Sequence, residues 1–284
     1  MTAKFFNGSA AMLGLAVALC FGAATTSAQY GGGSAAPAPA PAQNTPPPKE
    51  AGKPQKVNKA EEAAYKSVLA AQGGDPAAQI QAGEDFITKF PMSKYTSGVY
   101  GMLTSAYFTS GNTDKMFAAG AKALELNPDN VDVLSLLAMA IPRRVKPNTP
   151  DGPQQLQKAE VYAHHAIELI PTMTKPDTVD DATFEKAKND KLSLCHSGLG
   201  LLDINHQKYE DARTELTQAV ALATSPDPVD YYLLGNADYQ ASFLNGAIAA
   251  YDKCAATGPL VAACKAREEA VKKDAASGTK LSRD

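Results

Sequence analysis

Tryptophan is absent from this chain of 284 residues, and aromatic residues together make up only 7% of it. A core must therefore be built mainly from aliphatic and small side chains. Net charge is nearly absent too: 27 Lys and Arg against 30 Asp and Glu leave -3, so no excess of positive charge is there to draw nucleic acid. No apolar run reaches the roughly 20 residues that span a bilayer. The longest, residues 10–24, stops short of that length. From residue 58 onward no segment alternates apolar and polar side chains as a half-buried strand would.

Catalytic and cofactor signatures are missing as well. His196-Ser197-Gly198 lacks both flanking glycines of a G-x-S-x-G elbow and falls in a helical pattern, where that motif needs a strand-to-helix turn. Gly198 and Gly200 do not continue into G-x-G-x-x-G. Of the four histidines, His164 and His165 are neighbours on a helix and so point about 100° apart, unlike an i, i+4 pair sharing a metal. His196, or His206 beyond it, could approach His164 across a hairpin, but surface and packing roles account for all four. Glu84-Asp85 and Glu268-Glu269 lie on polar helix faces, where a solvated surface accounts for them. The expectation is a non-enzymatic protein with no cofactor and no metal.

What is present begins with targeting. Lys4, the apolar run and Thr26-Ser27-Ala28 form the charged start, apolar middle and small-x-small cleavage pattern of a secretory signal over residues 1–28. A retained anchor is the alternative. Leu19 before Cys20 argues against a lipoprotein signal, which needs a small residue there. Export to the periplasm or beyond would leave Cys195, Cys254 and Cys264 in an oxidising compartment. Cys254 and Cys264, ten residues apart across Gly258-Pro259, are expected either to form a disulfide or to be two small buried hydrophobes, with Cys195 buried and unpaired. Residues 29–57 are rich in Pro, Ala and Gly and read as a disordered linker, a spacer rather than a peptide ligand.

Residues 228–259, PVDYYLLGNADYQASFLNGAIAAYDKCAATGP, show the organisation of the remainder most openly. Two short amphipathic helices are expected, with Tyr231, Leu234 and Gly235 on one face of the first and Ala247, Tyr251 and Cys254 on one face of the second. Gly235 and Ala247 are small where the two axes must come close. This pattern resembles the tetratricopeptide repeat, a helix hairpin of about 34 residues. The fold it implies is an all-α solenoid of about five repeats with a capping helix over residues 58–276, followed by a disordered tail at 277–284.

The other repeats are noisier. Leu199, Gly200, Ala212, Leu216 and Ala219 give the fourth, with Gly200 and Gly235 lying 35 residues apart. In the second, residues 97–128, Thr104 stands for the glycine, Met116 for the small residue opposite it and Gly120 for the aromatic, so that hairpin is expected to splay or shift. Residues 60–91 are a weaker copy, with Asp75 and Pro76 starting the second helix. In the third, a loop at 142–153 and a second insertion after Pro171 interrupt the pattern, and a long helix is expected over 181–205. Beyond Pro259, Leu260, Ala263, Cys264, Ala270 and Val271 form the apolar stripe of the cap.

The resemblance implies a concave groove lined by the first helix of each repeat. Carried over residue by residue, it offers Phe108 and Thr109, Met139 and Arg143, Leu194, Leu201 and Asn205, then Tyr232, Asn236, Tyr239 and Gln240. Tyr would give rigid contact area and Asn or Gln would bond the backbone of an extended peptide. The expected function is an exported interaction scaffold that binds a protein or peptide partner, with ordinary exposure or contact to the chain's own last helix as the plain alternative for these residues. The competing reading is an enzyme or small-ligand binder using a pocket between the insertions at 142–153 and 172–181, with Arg143, Arg144 and Lys146 holding an anion.

Overall fold

The computed structural model describes residues 59–256 and 258–284, so the expected signal segment and linker lie outside the described residues. Helix starts follow local chemistry. Asp75, Asn112, Asn130, Asp180 and Asp227 each accept a hydrogen bond from the backbone two or three residues on, satisfying donors that have no partner inside the helix. Pro76 and Pro228 occupy first-turn positions where no N–H is required.

Five hairpins result: α1 (Lys59–Ala71) with α2 (Pro76–Lys89), α3 (Thr96–Thr109) with α4 (Thr113–Leu126), α5 (Val131–Arg144) with α6 (Gly152–Leu169), α7 (Asp181–Asn205) with α8 (Tyr209–Leu222), and α9 (Pro228–Gln240) with α10 (Leu244–Cys254). The last helix, α11 (Val261–Ser277), packs on α10. No strand occurs among the described residues. Each second helix packs against the first helix of the next hairpin, and α3, α5, α7 and α9 also meet in sequence. The expected loop at 142–153 is shorter than the sequence implied, because α5 continues through a buried Pro142 to Arg144.

Small residues set the packing. In the fourth hairpin, a Cβ added to Gly200 would lie 2.5 Å from Leu216 Cγ; in the fifth, one on Gly235 would lie 2.8 Å from the Tyr251 ring. Both glycines are on the first helix and admit a large side chain from the second. In the second hairpin the sizes are exchanged. Thr104 is fully buried and donates to Tyr100 O at 2.7 Å, while its counterpart on the second helix is Gly120. The space beside Gly120 is filled from outside the hairpin by Leu137 of α5, whose Cδ1 would lie 2.9 Å from an added Cβ. Gly83 of α2 admits Leu103 of α3 in the same way. The expected shift is therefore a change of partner, in which the next repeat closes the gap.

The tightest approach joins α5 to α7. A Cβ on Gly198 would sit 2.2 Å from Ala138 O, so the backbones nearly touch. Ala138, Ala159, Ala163 and Ala166 are fully buried around this point, with Leu134, Leu137, Ile141 and Leu199 packed among them. Cys195 is buried there as well, and burial pushes its thiol up to about 12, which leaves it unreactive.

The first helix of the second hairpin turns into its partner at Gly111, with φ +75°. The equivalent turns of the fourth and fifth hairpins use Gln207 at φ 60° and Ser242 at φ 68°, conformations that side chains other than glycine adopt at a cost.

Candidate binding groove

The first helices of the second, third and fourth hairpins, α3, α5 and α7, flank an open groove of about 700 Å³. Its floor is made of small groups. Gly98 has open space where a Cβ would stand, and one on Gly101 would approach Asn130 Nδ2 to 3.2 Å. Met102, Leu136 and Leu194 supply apolar surface, and the exposed Ser105 supplies a hydroxyl. Ser135 lines the groove too, but its hydroxyl is turned back to Val131 O at 2.8 Å.

Two polar features sit at the edge. Asp132 of α5 and Lys191 of α7 form an ion pair at 3.0 Å, with the Asp132 side chain largely exposed. Asn130 spends its Oδ1 on capping α5 at Val133 N, 3.2 Å away. Its Nδ2 makes no hydrogen bond among the described residues and borders the groove. A solvent-accessible amide donor beside exposed glycine backbone suits an extended chain, whose carbonyls need donors and whose backbone needs close approach.

Of the residues expected from the sequence, Leu194 lines this groove, whereas Met139, Arg143, Tyr232 and Tyr239 are placed elsewhere. Met139 is 3% exposed and belongs to the interior. Arg143 is turned inward to a cluster of its own. Its Nη1 donates to Asp227 Oδ2 at 2.6 Å, and its Nη2 to Asp230 Oδ1 at 2.6 Å and Ser197 Oγ at 2.9 Å. Ser197 completes the cluster by donating to Asp230 Oδ1 at 2.6 Å. This ties α5, α7 and α9 together. Burial raises the Asp230 carboxyl above the usual aspartate range, opposed by the Arg143 charge and the Ser197 hydrogen bond. Arg143 is thereby spent internally and is not free to hold an anion with Arg144 and Lys146, as the pocket reading requires. Nε of Arg143 is buried without a partner.

Tyr232 and Tyr239 face the chain's own last helix. Tyr232 packs edge-on against Tyr251 with ring centroids 5.8 Å apart, and Tyr239 donates to Asp274 Oδ2 of α11 at 2.7 Å. That hydrogen bond, then burial, raises the Tyr239 phenol above its ordinary value. Val271 of α11 completes the cluster around Leu244, Ala247 and Tyr251. Phe108 packs at the edge of the core formed by α2, α3 and α4. Leu201, Asn236 and Gln240 are half-buried. Cys254 and Cys264 form a pair with Cα atoms 5.9 Å apart, at the junction of α10 and α11. The residues 277–284, expected to be disordered, fold back on the fifth hairpin through hydrogen bonds to Ser242, Leu244, Asn245 and Gly246.

No protein-family model matches the chain, and no curated protein matches it in sequence. Solved structures do. A tetratricopeptide-repeat protein of Thermus thermophilus, TTC0263, aligns over 75% of this chain and 99% of its own at 16% identity, with a TM-score of 0.47. PilW, a type IV pilus biogenesis factor, aligns over 78% of this chain and 93% of its own at 13% identity, with a TM-score of 0.50. This chain has the tetratricopeptide-repeat fold.

On that repeat, Gly98, Gly101 and Ser105 occupy the groove-facing positions of α3 that lie before Phe108 and Thr109, the two selected from the sequence. None of the three carries a large, chemically distinctive side chain. A signal was available: glycines inside a helical pattern, with no turn to explain them, mark close approach by something else. Among the described residues no helix is long and apolar enough to cross a membrane.

Proposed function

We propose that this chain is an exported, non-enzymatic interaction scaffold that takes an extended segment of a protein partner along the groove between α3, α5 and α7. The observation that carries this is the open Cβ direction of Gly98 together with the solvent-accessible Asn130 Nδ2 beside Gly101, both lining a groove of about 700 Å³. Met102, Leu136 and Leu194 would receive apolar side chains, and Ser105 and Asn130 would bond the backbone. Export rests on the signal pattern at 1–28, and a covalent bridge between Cys254 and Cys264 would follow in that compartment. Thiol labelling of the unreduced, unfolded mature protein should then find Cys195 alone; three reactive thiols would remove the bridge.

Phe108, Leu201, Asn236 and Gln240 extend the proposed surface, whereas Tyr232 and Tyr239 serve closure of the last repeat. The test is crosslinking and pull-down from the native envelope with wild type and with Gly98→Phe/Ser105→Glu. Both positions are open to solvent or to the groove, so the fold should survive. Loss of specific partners from the variant supports the groove; recovery of the same partners at equal yield rejects it.

A further inference from the structure

The helix α10 begins without a cap of its own. Its N-cap residue is Phe243, which offers no side-chain acceptor, whereas α4 is capped locally by Asn112. Its first donors are met by residues far along the chain. Leu244 N donates to Ser282 Oγ at 3.1 Å, Asn245 N to Asp284 Oδ1 at 3.2 Å, and Gly246 N to Asp284 Oδ2 at 3.0 Å. A carboxylate at these amides is favoured by the partial positive charge of the helix end.

The residue between them is read as well. Arg283 N donates to Ser242 O at 2.8 Å, its guanidinium lies 5.0 Å from the Phe243 ring centroid, and Nη1 pairs with the Glu210 carboxylate of α8. The same ring carries Arg213 at 4.2 Å, and Arg213 Nε is held by the buried Asp238 at 2.6 Å. The receiving surface is thus fixed by residues of α8, α9 and α10, none of which belongs to the segment it receives. The approach to this corner is loose by comparison: Gly278 turns the chain at φ +67°, and Leu281 is 80% exposed.

We propose that this corner is a recognition site for the sequence Ser-Arg-Asp, occupied in cis by residues 282–284. The resident segment acts as a removable plug, and a partner strand of the same hydroxyl, cation and carboxylate order would take its place. Each element has a reader: α10 amides for the hydroxyl and carboxylate, and Glu210 with Phe243 for the cation. The site is separate from the groove of α3, α5 and α7.

The probe is a fluorescent, C-terminally amidated Lys-Leu-Ser-Arg-Asp peptide, measured by anisotropy against the full chain and against the full chain carrying Arg283→Ala/Asp284→Ala. The plug competes at the effective concentration of a short tether, so the substituted chain should bind about tenfold or more tightly than wild type. Equal binding to the two proteins, or no saturable binding to the substituted one, would overturn the proposal. Should that variant lose helicity by circular dichroism, Glu210→Arg decides instead. It should favour a probe with Glu in place of the Arg over the original probe, and unchanged preference would reject the site.

Discussion

In the second hairpin the glycine of the packing pair lies on the second helix, at Gly120, whereas in the fourth and fifth it lies on the first, at Gly200 and Gly235. The exchange changes what each repeat depends on. Gly200 and Gly235 are filled by Leu216 and Tyr251 from within their own hairpins, so those repeats close internally. Gly120 and Gly83 are filled by Leu137 and Leu103 of the following repeat, so the earlier repeats are completed by their neighbours. In a linear array, stability divides between repeats and the interfaces between them. The earlier half places more of it at the interfaces. The later half adds the Arg143 cluster and α11, which bind α9 from both sides, and α11 takes up the aromatic Tyr239.

Four ranked substitutions, and Gly120→Ala coupled to the second of them, break or sharpen this contrast. The largest effect is expected for Arg143→Ala, which leaves the Asp230 carboxylate buried without its countercharge; removing one partner of such a pair costs about 3–5 kcal/mol. Denaturant melts of the full chain measure it, and a loss below about 1 kcal/mol would mean that Asp227 and Asp230 find water instead. Leu137→Ala should follow at about 2–4 kcal/mol, by opening a void shared by the second and third repeats. Gly120→Ala should be destabilising in wild type and become neutral or favourable in the Leu137→Ala background, a coupling that a double-mutant cycle reads directly. If the two effects add, Leu137 does not close the second hairpin.

Gly235→Ala comes third, at about 1–2 kcal/mol, because the gain in helix propensity offsets part of the clash with Tyr251. Its hydrogen-exchange signature should be confined to α9 and α10, whereas that of Leu137→Ala should extend across α3 to α6. The smallest effect is Gln207→Gly, expected to stabilise by up to about 1 kcal/mol by relieving a left-handed conformation that the second hairpin already assigns to Gly111. A fall in melting temperature would show that Gln207 contributes contacts worth more than its backbone strain.

Much of the fold was legible in residue order. Asp75 with Pro76 announced a helix start, the recurrence of Gly200 and Gly235 gave the period, and the long helix over 181–205 followed from its uninterrupted pattern. The groove was less legible. Tyr232, Tyr239 and Arg143 carry the side chains that binding sites favour, yet the same aromatic area and charge can be satisfied inside the chain, and the sequence contains no mark of which use prevails. Gly98 and Gly101 carry no mark of this kind, because what they offer is an absence of side chain.

Periodicity, small residues at close approaches and capping side chains are local quantities, set by neighbours within a few residues, and the sequence by itself determined them. Which residue fills the gap at Gly120, which carboxylates hold Arg143 and which segment caps α10 are relations across tens of residues. Many assignments satisfy the same local pattern. Only the tertiary structure selected among them, through steric fit for Leu137, charge pairing for Asp227 and Asp230, and unmet backbone donors for Ser282 and Asp284.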